Sequence, residues 1–524
     1  MRGDDEKAMY LLGIDIGTTN WKVTLYDENG GAVAAFSSPT VVHSDSAGRV
    51  VYNPDEIWAT VTAGIRQVLS QVKYPQDVRA IGVASMGEAG VLIDRRGQCL
   101  YPAMAWYDPR TAPQLEWWVR TFGRYEVYEI TGLPPQHIAS INKIMWLRDN
   151  EPEAYTRADK WLCLADFVTY RLCGECAMDY SLASRTMVFD LRRREWSLEM
   201  LEHAGVEASL LPPLRLSGTP LGHITRQAQE ETGLSPGTIV VVGGYDHLCG
   251  ALAGNAFTSS SMLDSGGTSE VLLSVVDAGS VNIGNALCDA QFAFGVHVVK
   301  DAYYIAGILP ASGGVIEWLK DQLAHEELER ARETGASIYQ VMADEASSSP
   351  PGARGVFMLP HLKGRVSPYC GEKSRAAFVG LSFYHDRRDL FRAALEGLCY
   401  ELRFNLDAMK ELALIRPPQK MQAIGGAVRN KLWMQMKADM TGAVIEVPDV
   451  EEATTLGAAL LAGIGSGIYR DEQDAIQRTY KIREVFHPNP EMTRKYDLYF
   501  RRVYKPLATS LDGVNADIAD IFDV

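Results

Sequence analysis

The chain has 524 residues, of which 47% are hydrophobic and 22% charged, and its formal net charge is −15. This length predicts two or three domains. The negative charge, with no basic block, argues against nucleic acid as a partner, and no apolar run approaches the roughly 18–20 residues of a membrane span. The start of the chain is polar and unlike a signal peptide, and the eight cysteines are scattered as reduced thiols would be. We therefore expect a cytoplasmic protein without a membrane partner.

The first distinctive segment is DIGTTNWKVTLYDENGG, which begins at Asp15 directly after the apolar run YLLGI. It predicts a strand, a tight turn at Gly17 and a second strand, with Thr18 and Thr19 presenting hydroxyl and N–H donors at the turn. Such donors suit a phosphate, and Asp15 beside them suits Mg²⁺. For a single copy, an ordinary polar turn explains the pattern equally well.

Strand-like runs alternate with amphipathic helices farther along the chain. Strands are predicted at 78–86 and 238–246, and helices at 54–72 and 390–412, as in layered α/β proteins.

The pair Cys173 and Cys176 lies in RLCGECAMDYSLASRT. A zinc site needs a second ligand pair, and none follows at suitable spacing. The segment is instead predicted to form a strand, a glycine turn and a second strand.

The segment GGYDHLCGALAGN places Asp246 at the end of a predicted strand, after Gly243 and Gly244. Carboxylates at strand ends are common catalytic groups in α/β folds, so Asp246 is a candidate general base. The alternative is a helix N-cap for residues 247–254.

A second Asp-Gly-Thr run, DSGGTSEVLLSV, begins at Asp264, again after a short apolar run. The duplication predicts two similar domains that face each other across a nucleotide. We divide the chain into residues 1–256 and 257–524, with a linker and hinge at GNAFTSSS, residues 254–261.

Residues 423–463 predict a strand, a Gly-Gly turn, a helix, a strand, an acidic loop and an Ala/Gly-rich helix. Gly425 and Gly426 would let a ligand approach the backbone closely. With its Gly-Gly-Ala, its Gln and Ala-Asp in the helix, and its Glu-Ala-x-x-x-Gly-Ala-Ala, this segment resembles the signature of the FGGY carbohydrate kinases. The resemblance extends from Tyr10 to about Leu507.

The resemblance implies two actin-like ATPase (ribonuclease H-like) domains with a nucleotide cleft between them. It implies transfer of the γ-phosphate of ATP to a hydroxyl of a small sugar or polyol, with Mg²⁺ and with a xylulose-like ketose favoured. Asp246 would take the proton from the sugar hydroxyl. The alternative is a nucleotide-dependent sugar-binding regulatory protein on the same fold, without turnover.

The resemblance also assigns the binding residues, with Asp15 near Mg²⁺. Those expected at the phosphates and the adenosine pocket are Thr18, Thr19, Lys22, Gly267, Thr268, Gly313, Gly314, Gly426 and Asn430.

On the substrate side the resemblance points to Glu88, Trp106, Asp108 and His247, while Gly87 stands where glycerol kinases have Arg. Each assignment has a plainer alternative: Trp106 as core, Asp108 as the ion-pair partner of a nearby arginine, and His247 as the start of a helix. Further tryptophans are explained by packing or by the surface of a homodimer: Trp117, Trp118, Trp146 and Trp161.

Overall fold

The computed structural model describes residues 9–259, 261–277, 283–371 and 373–522. The first eight residues and Ser260 of the predicted linker lie outside this described part. Within it, no helix is long and apolar enough to cross a membrane.

The first large sheet comes from the N-terminal half. Three antiparallel strands form a meander, and two further strands extend the sheet in parallel beside its first strand. The first strand is buried almost throughout because helices cover both faces of the parallel part. The strands in chain order are Tyr10–Ile16, Asn20–Asp27, Ala32–Pro39, Val78–Ser85, Pro220–His223, Ile239–Val241 and Gly244–Tyr245.

The second large sheet repeats this arrangement in the C-terminal half. The hairpin 262–276 pairs its two strands antiparallel, and the first of them lies parallel to Lys420–Gly425. The strands are Met262–Gly266, Glu270–Val276, Ala293–Val296, Tyr303–Leu309, Lys420–Gly425, Val444–Pro448 and Ile482–Phe486. The predicted duplication is therefore confirmed. We call residues 10–27 the first hairpin and residues 262–276 the second hairpin.

Helices and shorter strands fill the layers around the sheets. The helices are Pro54–Leu69, Ala112–Thr121, Arg124–Thr131, Ser140–Asn150, Pro152–Arg157, Leu164–Cys173, Tyr180–Ala183, Leu198–Ala204, Arg226–Thr232, Asp246–Ala253, Asn285–Asp289, Gly313–Leu323, His325–Thr334, Ile338–Ser348, Arg387–Glu411, Lys431–Thr441, Ala453–Gly465, Glu472–Thr479, Pro490–Tyr499, Lys505–Ser510 and Asp512–Phe522. The shorter strands are His43–Ser44, Val50–Tyr52, Gly90–Ile93, Ala103–Met104, Lys160–Cys163, Met178–Asp179, Phe189–Asp190, Glu195–Trp196, Leu214–Arg215, Phe357–Leu359 and Ala377–Val379.

One helix of the C-terminal half, Ala453–Gly465, packs against the first sheet, and we call it the bridging helix. A Cβ atom on Gly13 would lie 1.8 Å from the carbonyl oxygen of Thr455. A Cβ atom on Gly82 would lie 2.0 Å from that of Ala458. The absence of side chains at these glycines therefore lets the helix backbone lie directly on the strands. The division at residues 256 and 257 stays a prediction.

The predicted first strand and hairpin turn around Cys173 and Cys176 are wrong, although the two-residue strand Met178–Asp179 does follow. Cys173 ends the helix Leu164–Cys173, and Gly174 follows with a left-handed φ of 80° and donates its N–H to the carbonyl of Tyr170. This is a glycine helix cap rather than a hairpin turn. Both cysteines are free thiols.

The tryptophans predicted to pack or to form an oligomer surface mostly pack. Trp118 and Trp161 are almost fully buried, Trp146 is 8% exposed, and Trp117 is half-buried with its ring 5.2 Å from that of Trp118. A homodimer stays a prediction.

Candidate active site

The tip of the first hairpin is formed by residues 17–19, where the Thr18 and Thr19 side chains are exposed. Gly17 donates its N–H to the carbonyl of Asn20, and the Thr40 hydroxyl donates to the carbonyl of Gly17 at 2.8 Å. These bonds hold the turn from both sides. The tip therefore presents its hydroxyl groups outward, as a phosphate-binding turn requires.

Asp15 lies one residue before the end of the first strand and is 7% exposed. Its Oδ1 atom is buried and accepts no hydrogen bond from a described residue. Burial and the nearby Asp246 carboxylate raise the pKa of Asp15 to about 8. Two carboxyl groups in one buried place favour a bound cation, so Asp15 fits a role beside Mg²⁺.

Asp246 begins the helix Asp246–Ala253 and accepts a hydrogen bond from the backbone N–H of His247 at 2.7 Å. Burial, together with the negative charge of Glu88, raises its pKa to about 7. A carboxylate with a pKa near neutrality suits a general base. The structure therefore brings Asp246 together with both Asp15 and Glu88, although the three come from different strand ends.

Glu88 follows the strand Val78–Ser85 and has a left-handed backbone with φ of 64°. Such a conformation is costly for a residue with a side chain and is found most often at functional sites. The Glu88 carboxylate is buried against Arg185, with 2.5 Å between Oε1 and Nη2. Arg185 could not be predicted from the sequence, because nothing in its local pattern marks it as a partner of Glu88.

Two tyrosines complete the surroundings of Arg185. Its guanidinium lies 5.7 Å from the ring centroid of Tyr245, and it also interacts with the hydroxyl of Tyr304 in the C-terminal half. Both halves therefore contribute to the surroundings of Arg185 and Glu88.

Lys143 is a second buried cation that the sequence analysis missed. Its ammonium group is fully buried and donates to the carbonyl of Ile138. Burial lowers its pKa to about 8, while the charge of Glu88 opposes that shift. Lys143 thus adds positive charge on the same side as Arg185.

The remaining predicted substrate residues have different surroundings. Trp106 is half-buried and donates its indole N–H to the Thr18 hydroxyl at 3.0 Å, which links Trp106 to the tip of the first hairpin. The imidazole of His247 lies 5.3 Å from the ring of Tyr245, and burial lowers its pKa to about 4, so it is neutral.

Asp108 is a correction to the predicted substrate site. Its side chain is 0% exposed, and both carboxylate oxygens accept hydrogen bonds from Arg110, with a further bond from the N–H of Val50. With every oxygen engaged inside the protein, Asp108 has no free acceptor for a substrate. The ion pair named as the alternative is confirmed.

A cavity of about 630 Å³ lies beside the tip of the second hairpin. Among its lining residues are the predicted Gly267, Thr268, Gly313, Gly426 and Asn430. Its volume suits a nucleoside, and it also has aromatic and apolar walls.

Gly314 and Lys22 were also predicted to bind the nucleotide, and the structure engages both elsewhere. Gly314 is not among the described lining residues and donates its N–H to the carbonyl of Thr268 at 3.1 Å. Lys22 directs its ammonium group to Glu452, with 2.6 Å between Nζ and Oε2. Both stay predictions as nucleotide contacts.

Comparison with known proteins extends over almost the whole chain. Residues 10–253 match the N-terminal domain of the FGGY family of carbohydrate kinases, and residues 265–466 match the C-terminal domain. A xylulose kinase of Bacillus subtilis is 27% identical over 507 residues, covering 97% of this chain and 98% of its own length. A glycerol kinase of Thermococcus gammatolerans is 30% identical over 496 residues, covering 94% and 96%.

Solved structures show the same fold. A gluconate kinase from Lactobacillus acidophilus has a TM-score of 0.87 at 23% identity, covering 98% of this chain and 100% of that one. The predicted two-domain actin-like fold is confirmed. The chain belongs to the FGGY family of carbohydrate kinases, enzymes that use ATP to phosphorylate an alcohol group.

Proposed function

We propose that this carbohydrate kinase transfers the γ-phosphate of ATP to a hydroxyl of a small sugar or polyol, with a xylulose-like ketose favoured. The observation that carries the proposal is the meeting of Asp15 and Asp246 between the phosphate turn and the buried pair of Glu88 and Arg185. Support for a ketose comes from the relatives named xylulose kinase. Relatives named gluconokinase and glycerol kinase keep sugar acids and polyols among the candidates.

In this proposal Asp246 is the general base. Its carboxylate accepts the proton of the acceptor hydroxyl while the hydroxyl oxygen forms a bond to the γ-phosphorus. The bond between that phosphorus and the bridging oxygen breaks, and ADP leaves with the electron pair. Because phosphoryl transfer needs little covalent help, most of the rate comes from positioning and charge neutralisation.

Positioning of the acceptor falls to Glu88, Trp106 and His247. The Glu88 carboxylate would accept hydrogen bonds from substrate hydroxyls, and Arg185 holds it in place within range of the charge of Asp246. Trp106 would form a wall, and the neutral imidazole of His247 would offer one donor or acceptor. The sugar would thus sit in residues 1–256, and adenosine in the cavity of residues 257–524.

Mg²⁺ fits the same cleft. No group of three or more described His, Cys, Asp or Glu side chains has metal-ligand spacing, so phosphates and water would supply most ligands. Asp15 would hold the ion, because its buried Oδ1 needs a partner. When bound, Mg²⁺ neutralises charge on the β- and γ-phosphates.

The alternative is a regulatory protein that binds sugar and nucleotide without turnover. ADP release with a panel of ketopentoses, tetruloses, sugar acids and polyols separates the two. We expect ADP release with one class of compound to be well above the rate without an added acceptor. Asp246→Asn should abolish that release. Binding of a panel member, seen by calorimetry, with no ADP release would support the regulatory protein and defeat the proposal.

A further inference from the structure

A cluster of buried charges lies beneath the second hairpin, apart from the acceptor side. It consists of Asp264, Glu270, Ser312 and Lys437, which we call the buried cluster, and none of the four is more than 1% exposed. Lys437 Nζ lies 2.5 Å from Oδ2 of Asp264 and 3.2 Å from Oε1 of Glu270. The Ser312 hydroxyl donates to Oε2 of Glu270 at 2.6 Å.

The charges of the buried cluster do not balance when both carboxyl groups are ionised. Lys437 is the one cation among its members, and Oδ1 of Asp264 accepts no hydrogen bond from a described residue. Burial and the neighbouring Asp264 carboxylate raise the pKa of Glu270. Without Lys437, two carboxyl groups would share a site closed to water.

The corresponding aspartate of the first hairpin has different charged neighbours. In each hairpin the aspartate stands two residues before the first glycine of the turn: Asp15 before Gly17, and Asp264 before Gly266. Lys22 faces Asp15 across the first hairpin but directs its ammonium group to Glu452. The two copies have therefore diverged. The carboxylate of Asp15 stays available to a ligand in the cleft, whereas the ammonium group of Lys437 pairs with the carboxylate of Asp264.

The buried cluster joins three elements that form the nucleotide cavity. Asp264 and Glu270 belong to the second hairpin, Ser312 precedes the helix Gly313–Leu323, and Lys437 belongs to the helix Lys431–Thr441. Backbone bonds tighten the same junction. The N–H groups of Ser312 and Gly313 donate to the carbonyls of Thr268 and Gly267, each at 2.9 Å.

The tip of the second hairpin is the part that faces the cavity. Gly267 and Thr268 line it and are exposed there, and Asn430, which caps the helix of Lys437, lines it from the other side. A shift of the hairpin relative to this helix would therefore change the spacing of the groups that meet the phosphates. Lys437 joins the helix Lys431–Thr441 to the second hairpin through its ion pairs with Asp264 and Glu270.

We propose that Lys437 is a positioning residue for the triphosphate of ATP: by neutralising Asp264 and Glu270, it holds the second hairpin against the helix Lys431–Thr441 so that the Gly267–Thr268 turn binds phosphate. This rests on the proposed function only in placing the nucleotide in the cavity. Lys437 acts through the turn and touches no ligand. Adenosine carries no phosphate, so its binding affinity should change little when the Lys437 ammonium group is removed.

The test compares two probes on one variant. For Lys437→Met, which keeps an unbranched side chain one atom shorter and removes the charge, we expect calorimetry to show Mg·AMP-PNP binding at least about tenfold weaker, and adenosine binding within about threefold of wild type. The double variant Lys437→Met with Asp264→Asn removes one carboxylate as well and should recover most of the Mg·AMP-PNP affinity.

Two results would overturn the proposal. One is Lys437→Met with unchanged affinity for Mg·AMP-PNP. The other is equal loss of both probes without recovery in the double variant, which would indicate a general structural role. If thermal unfolding shows that Lys437→Met does not fold, the single variant Asp264→Asn is used to test the proposal instead. Its Mg·AMP-PNP affinity should be at least that of wild type, and a loss of about tenfold contradicts us. Wild-type protein that fails to bind Mg·AMP-PNP would instead refute the proposed function.

Discussion

Arg185 directs two nitrogens at a single oxygen of Glu88: Nη2 lies 2.5 Å from Oε1, and Nε donates to the same atom at 2.7 Å. The hydrogen bonds that described side chains make to this carboxylate all go to Oε1. Under the proposed function, Oε2 is therefore the oxygen that an acceptor hydroxyl would meet. The ion pair holds the Glu88 carboxylate in one orientation inside a buried site.

Replacing Arg185 should damage acceptor binding and leave nucleotide binding intact. In Arg185→Met the buried Glu88 loses its ion-pair partner, so its carboxylate is no longer held in one orientation. The loss of a charged hydrogen bond, about 1.5–3 kcal/mol, predicts a rise of roughly 10–100-fold in KM for the acceptor. Steady-state kinetics with the acceptor identified by ADP release gives KM. Arg193→Met, at a site whose side chain is 74% exposed, is the control. An unchanged KM in Arg185→Met would remove Arg185 from the acceptor site.

Asp246→Asn should abolish turnover while preserving nucleotide affinity. The amide is nearly the shape of the carboxylate and does not take a proton from the acceptor. Loss of a general base predicts a fall in kcat of about 10²–10⁴-fold. Calorimetry with Mg·AMP-PNP checks that the cleft is intact, and Asp301→Asn on the surface is the matched control. If the Asp246 variant keeps more than about a tenth of wild-type kcat, another group is the base.

The pH dependence of the reaction should reflect Asp246. Its pKa is raised to about 7, and the ionised form is the one that accepts the proton. We therefore expect kcat/KM to increase with pH through about 7, and to fall about tenfold for each unit below that value. Measuring kcat/KM from about pH 5.5 to 8.5 in wild type and in Asp246→Asn tests this. The low-pH limb should disappear in the variant; its persistence would assign the titration to a different group.

The contact between the bridging helix and the first sheet predicts a large effect of one methyl group. In Gly82→Ala the new Cβ would lie 2.0 Å from the Ala458 carbonyl oxygen, so the helix backbone must shift. Overpacking of this kind costs about 1–3 kcal/mol or more in the free energy of unfolding. The midpoint of urea unfolding measures it.

Gly513→Ala is the control for that prediction, because nothing lies within 4 Å of its Cβ position in the helix Asp512–Phe522. Its midpoint should stay the same or rise slightly, since alanine favours a helix. Equal midpoints for wild type, Gly82→Ala and Gly513→Ala would show that the bridging helix is not packed as described.

The local features of the site were available from the residues alone. A strand, a glycine turn and a strand are set by neighbouring residues, so the two Asp-Gly-Thr runs predicted both hairpins, and their repetition predicted the paired sheets. Asp15 and Asp246 could be predicted as site residues for the same reason, because each follows an apolar run that ends in a turn or a helix start. The ADP-release experiment identifies which sugar or polyol is the acceptor.

Contacts between distant residues were decided only by the tertiary structure. Glu88 and Arg185 are 97 residues apart, and Lys437 and Asp264 are 173 apart. A charged side chain shows in the sequence that it needs a partner, but which partner it meets depends on how the layers cross. Burial also decided a contact between near neighbours in the sequence. Asp108 was expected to bind substrate, but it forms a buried ion pair with Arg110 instead. Electrostatic pairing in a buried site depends on desolvation and on distances of a few ångströms, and the folded layers alone set both.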